Sequence, residues 1–215
     1  MSYKKYAFLS FLIYAIAFFA PSFAMTIGQS LMILTVGYIA GAIALIFLYK
    51  KQTVKLPFEE NRMSWVRIVL LGVVGIFLAI ILQNVMLSIE VFFGGQIESE
   101  NTSNIMGLIF QQPLVMLAVT VGGPIMEELL FRRVILGGVT RKSNIWIGVI
   151  VSSLLFAAIH QDGHLLLYGA LGAFFSLQYI VTGSIWTSII THVGMNSLVV
   201  IVNLIVETMG IQLPQ

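Results

Sequence analysis

Between Gly122 and Arg133 the chain places Glu127, Glu128, Arg132 and Arg133 inside a run that otherwise reads as membrane-embedded helix. An ionisable side chain in hydrocarbon costs a few kcal/mol or more, so such residues turn inward and find partners. This stretch therefore demands other helices around it. Helical spacing supplies one partner at once, because Glu128 and Arg132 are four apart, acid before base, on one face. Glu127 is turned roughly 100° from Glu128 and has no such local partner. It is the carboxylate best suited to chemistry.

Composition agrees with an enclosing bundle. Of 215 residues, 59% are hydrophobic and 9% charged, against about 25% charged in a soluble domain. The expectation is an all-α, polytopic transmembrane helical bundle of about seven spans, eight being possible, at roughly 20 residues per span. Cysteine is absent, which excludes disulfides, thiolate chemistry and every Cys-based zinc site. No basic patch exists outside the short membrane-flanking loops, so nucleic acid is excluded as a partner and the lipid bilayer is the expected one.

Taken in order, the predicted spans cover about 3–24, 27–49, 65–93, 105–136, 145–160, 164–181 and 184–209. The first follows Lys4 and Lys5, and Ser22-Phe23-Ala24 resembles a signal-peptide cleavage site. The long apolar run, with the next span following at once, favours a retained helix. Within 105–136, Gly122-Gly123-Pro124 predicts either a break or a kink. Charge placement favours a kink. With the N-terminus inside, the inner segments hold Lys4, Lys5, Lys50, Lys51, Lys55, Arg62, Arg67, Arg141 and Lys142. The outer segments hold no Lys or Arg, and Glu98 and Glu100 lie in one of them. That is the positive-inside pattern, with the N-terminus cytoplasmic. The chain reads as one membrane domain over 1–215, with N-terminal spans in 1–104 and a core in 105–209.

Two of the three histidines fall in apolar helical stretches. His160 has Phe156 one turn before it, and His192 shares a face with Asn196. Measured from the inner boundary at ~1.5 Å per residue, Glu127 lies about 20 Å deep, His160 about 22 Å, and His192 to Asn196 about 12–18 Å. Motifs far apart in sequence thus reach one level, as a single buried site requires.

Two chemistries fit that site. In one, Glu127 is a general base toward water, helped by His160, while His192 and Asn196 donate hydrogen bonds to a developing oxyanion. In the other, His160 and His192 bind a divalent metal such as zinc, with Glu127 as a further ligand or as the base. Both amount to hydrolysis of a carbonyl compound, and a peptide bond is the expected one.

Glu127-Glu128-x-x-x-Arg132, Phe156-x-x-x-His160 and His192-x-x-x-Asn196, in this order and each on a predicted span, resemble the three motifs of the CAAX protease and bacteriocin-processing family. This is the CPBP or Abi group of intramembrane proteases, which includes the type II CAAX prenyl endopeptidases. The resemblance covers about residues 105–209, the family's four-helix catalytic core. It implies endopeptidase activity on a small membrane-associated or lipidated peptide or protein. Glu127, His160, His192 and Asn196 would be the functional residues, with Glu128, Arg132 and Phe156 completing the motifs. The rival expectation is a non-catalytic immunity or adaptor protein that binds a peptide with the same cluster.

The remaining features read as structural. Asp162-Gly163 breaks the helix between His160 and His164, so His164 is expected as a polar residue at the outer boundary rather than a ligand. Trp65, Trp146 and Trp186 fall near inner span ends, as an interfacial belt does. Glu90 and Glu207 are expected at outer ends, reaching headgroups.

Overall fold

The computed structural model describes residues 1–96 and 100–209, so Glu98 lies outside the described residues. Among the described residues there are eight helices and no strand. We label them α1 (Tyr3–Phe19), α2 (Ile27–Lys51), α3 (Trp65–Phe92), α4 (Glu100–Gln111), α5 (residues 115–140), α6 (Ile145–His160), α7 (Leu165–Thr182) and α8 (Ile185–Thr208). Five stretches are long and apolar enough to cross a membrane: Tyr3–Phe23, α2, α3, α7 and α8. The protein is a helical membrane bundle. Large apolar residues such as Phe8, Val66, Ile81 and Ile201 cover its outside, and the charges of α5 point inward.

The stretch expected as one kinked span is two helices, and the break falls elsewhere. α4 ends at Gln111, before Pro113, which cannot donate a backbone hydrogen bond. A new helix then starts, with Val115 donating to Gln112 and Met116 to Pro113. At 1.5 Å per residue the 12 residues of α4 reach about 18 Å, short of the ~30 Å hydrocarbon core. Gly122-Gly123-Pro124, the expected kink, lies within continuous helix. π-helical turns at Ala118–Gly122 and Glu128–Leu136 flank the Gly123–Glu127 segment. The wider i→i+5 bonding absorbs the donor missing at Pro124.

α5 runs through the middle of the bundle, contacting α1, α2, α6 and α8. α6 packs on α7, and α3 lies against α7 and α8. The α3–α8 contact is close because its residues are small. A Cβ on Gly75 would meet Thr191 Oγ1 at 2.4 Å, and Thr191 donates a hydrogen bond to the Gly72 carbonyl at 2.9 Å. Small residues at such crossings let backbones approach, the usual device where lipid supplies no hydrophobic drive. Here they seat the turn of α8 that bears His192.

The nine Lys and Arg residues outside α5's buried pair gather toward one end of the bundle. There Tyr3 donates to the carbonyls of Arg133 and Val134, and Met63 N–H donates to Thr182 O. The opposite end joins the 20–26 turn, the end of α3 and the turn at 161–163. Glu90 corrects an expectation there. It does not reach for headgroups but pairs with buried His164 at 2.8 Å and accepts from the N–H groups of Leu166 and Leu167. A carboxylate on α3 thereby caps the start of α7. Trp65 and Trp186 pack together with ring centres 6.3 Å apart, and Trp146 is exposed near its helix start.

Candidate active site

The two neighbouring glutamates of α5 reach one imidazole. His192 of α8 has Nδ1 3.0 Å from Glu128 Oε1 and Nε2 3.7 Å from Glu127 Oε2. A carboxylate can only accept, so Nδ1–H is the donor to Glu128. Glu128 is fully buried and also holds the Arg132 guanidinium at 3.2 Å, as the four-residue spacing predicts. The spacing did not reveal that the same oxygen faces His192. Arg132, Glu128 and His192 form one chain of charge-assisted contacts that ends at the imidazole ring.

Glu127 differs in exposure. Its side chain is 18% accessible, against 0% for Glu128. It lines a cleft of roughly 510 Å³ together with Tyr38, His160 and Asn196. His160, His192 and Asn196 also line an adjoining cavity of about 80 Å³. The four residues singled out from sequence therefore border two neighbouring hollows, with His160 and Asn196 lining both. Tyr38 of α2 lines the cleft beside Glu127, and nothing in the sequence marks it. Tyr38 comes close because a Cβ on Gly122 would already sit 3.0 Å from its backbone. The Gly-Gly pair before the glutamates thus admits α2 to the site.

His160 ends α6 and is held by its own helix. Its Nδ1 lies 2.8 Å from the Phe156 carbonyl, which only accepts, so Nδ1 carries a proton and donates it there. Phe156 explains its place in the motif by what it touches. Its ring lies edge-on to His160 at 4.7 Å and to His192 at 5.8 Å, and Arg132 sits over its face at 4.3 Å. Phe175 stacks on His192 at 4.6 Å. These rings shield the buried charges from lipid and restrict how either imidazole can turn.

Arg133, whose partner the sequence did not indicate, points away from the site. It pairs with Glu59 of the 52–64 loop at 3.4 Å, and Tyr179 of α7 donates to the same carboxylate. Glu59 also accepts from Leu56 N–H. Only folding of that loop onto α5 makes this pair visible.

A zinc ion would require Glu127, His160 and His192 to converge, yet among the described residues no three His, Asp or Glu side chains have the geometry to hold a metal. His192 already turns both ring nitrogens to carboxylates.

A membrane-embedded bundle that encloses a Glu-Glu-Arg chain, two histidines and an asparagine beside a cleft defines a class of buried polar sites suited to water-dependent chemistry. The particular family is reached by comparison. Residues 109–198 match the family model described as "Type II CAAX prenyl endopeptidase Rce1-like". The chain is 33% identical over 177 residues to "Membrane-embedded CAAX protease MroQ" of Staphylococcus aureus (strain USA300), covering 77% of this chain and 70% of that protein. It is 40% identical over 138 residues to YdiL of Bacillus subtilis (strain 168), named as a membrane peptidase, covering 63% of this chain and 57% of the relative. The chain belongs to the Rce1-like CAAX protease family of membrane proteins. No solved structure gives a match.

Proposed function

We propose that this chain is an intramembrane endopeptidase that hydrolyses a peptide bond in a small membrane-associated or lipidated peptide or protein. One observation carries the reading. Glu127, the more accessible of two adjacent glutamates, shares its cleft with His160 and Asn196 and faces His192. In the proposed reaction a water in the cleft is held by Glu127 and by Nε2 of His160. Glu127 takes a proton as the water oxygen bonds to the carbonyl carbon. His192, in its imidazolium form, gives Nδ1–H to Glu128 and directs Nε2–H toward the cleft. Asn196 adds a second donor to the tetrahedral oxyanion. The proton on Glu127 then passes to the leaving nitrogen, the C–N bond breaks, and acid and amine depart.

Family membership and the bacterial relatives support placement in a bacterial cell membrane. The gathering of Lys and Arg at one end supports a cytoplasmic N-terminus. Purified protein in nanodiscs, incubated with an internally quenched pool of apolar decapeptides, tests the activity. The wild type should cleave, and folded Glu127→Gln, His160→Ala and His192→Ala should lose nearly all turnover, because base and water orientation act as a unit. A chelator should leave the wild-type rate unchanged. Full turnover by Glu127→Gln would instead favour a peptide-binding immunity or adaptor protein. Loss on chelation with recovery on adding zinc would restore the metal mechanism.

A further inference from the structure

The turn after His160 and the start of α7 hold the His160 imidazole from one face. Tyr168 lies flat on His160, with ring centres 3.8 Å apart and planes 19° from parallel. Its hydroxyl donates to Asp162 Oδ2 at 2.8 Å. Asp162 sits two residues past His160, in a turn that is expensive to form. Gln161 has φ 52°, left-handed for a residue with a Cβ, and Gly163 has φ 82°. Such backbone costs on the order of 1 kcal/mol and persists where surroundings over-determine it. Asp162 is held further by His164 N–H, which donates to its other oxygen.

The imidazole would otherwise be free about its last torsion, a broad and soft one. The Phe156 carbonyl holds Nδ1, and the Phe156 ring crosses the imidazole plane at 64°. Tyr168 covers one face of the ring, beside the cavity that His160 and Tyr168 both line, and Asp162 holds Tyr168.

The geometry points to Tyr168 as a positioning residue that, tied to Asp162, fixes the plane of His160 and so the direction of Nε2. The inference rests on His160 orienting water as proposed above. It adds to the three motifs a fourth element, Asp162 with Tyr168, drawn from the turn and helix that follow the second.

The test has two independent arms on the full chain in nanodiscs. The first is NMR of protein labelled with ¹⁵N and ¹³C at histidine, His160 being assigned by its disappearance in His160→Gln. The wild type should show one tautomer, protonated at Nδ1, with ring protons shifted upfield by the stacked phenol. Tyr168→Phe should retain the upfield shift, and Tyr168→Leu should lose it and show a tautomer mixture. Asp162→Ala, in a surface turn, should give a partial version of the same change and carries the test if Tyr168→Leu does not accumulate.

The second arm is turnover of a peptide chosen from the quenched decapeptide pool. Tyr168→Leu should lower kcat on the order of 100-fold with little change in KM, the cost of a misplaced reacting group. Tyr168→Phe, which loses one hydrogen bond but keeps the stack, should fall about 5-fold. Unchanged His160 signals and unchanged kcat in Tyr168→Leu would overturn the inference. Full turnover in His160→Ala would instead strike the proposed function, while the spectra still decide whether Tyr168 holds the ring.

Discussion

Glu128 accepts a hydrogen bond from His192 Nδ1 at 3.0 Å across the α5–α8 interface, with both side chains buried. The same Glu128 oxygen holds Arg132 at 3.2 Å. The buried ion pair therefore also orients the ring of a site histidine, so its loss should show in two ways.

Glu128→Gln and Arg132→Ala each leave one charge in the bundle without its counter-ion. Breaking a buried pair in this way costs about 3–5 kcal/mol. Both variants should accumulate less and melt lower than wild type, and their residual folded fraction should cleave poorly because His192 is no longer oriented. Abundance in membranes, thermal melting and turnover per folded molecule measure this. Wild-type melting in Glu128→Gln would show that the pair contributes nothing to the fold.

Asn196 predicts a graded loss. It borders both hollows but is one of two proposed oxyanion donors, and removal of one such donor typically costs about 100- to 1000-fold. Asn196→Ala should leave turnover that is measurable above Glu127→Gln, with normal abundance. Equal, complete inactivation of both would place Asn196 on the water rather than on the oxyanion.

The Arg133–Glu59 pair predicts the opposite pattern from the site residues. Glu59 joins the 52–64 loop to α5 and, through Tyr179, to α7, at the end of the bundle away from the cleft. Glu59→Gln keeps the shape and one acceptor but removes the charge opposite Arg133. Melting should fall by several degrees, the scale of a 1–2 kcal/mol loss in a chain of this size, while kcat of the folded protein stays within about twofold. A large fall in kcat at unchanged stability would assign this pair a part in the chemistry.

Topology is directly testable because the chain has no native cysteine. Single cysteines at Lys51, Arg62 and Arg141 should react with an impermeant maleimide only after the membrane is opened, and Ser22→Cys and Gly163→Cys should react in intact cells. Reversal of the two sets would place the cleft, which Ser22 and Gln161 help to line, on the cytoplasmic side.

Much of this was legible from local spacing. Apolar runs of span length, charge confined to alternate loops and the four-residue step from Glu128 to Arg132 are properties of neighbouring residues in a helix, and helical periodicity carries them into space almost unchanged. Phe156 and His160, and likewise His192 and Asn196, could be placed on common faces for the same reason. The break falls at Pro113, a lone proline in an apolar run, and not at the more conspicuous Gly122-Gly123-Pro124. Proline in a helix need not break it when π-turns reroute the bonding.

Tertiary structure alone decided which helices meet. Glu128 to His192 spans 64 residues, Arg133 to Glu59 spans 74 and Glu90 to His164 spans 74, as their residue numbers show. No periodicity couples positions so far apart. What joins them is the need of each buried charge for a partner in a medium without water, met by whichever helix face close packing of small residues brings within reach. Four charges within one apolar run already require that α5 carry them inward. The packing of α3 against α8, and of α2 against Gly122, determined that His192, Tyr38 and the cleft would be there to meet them.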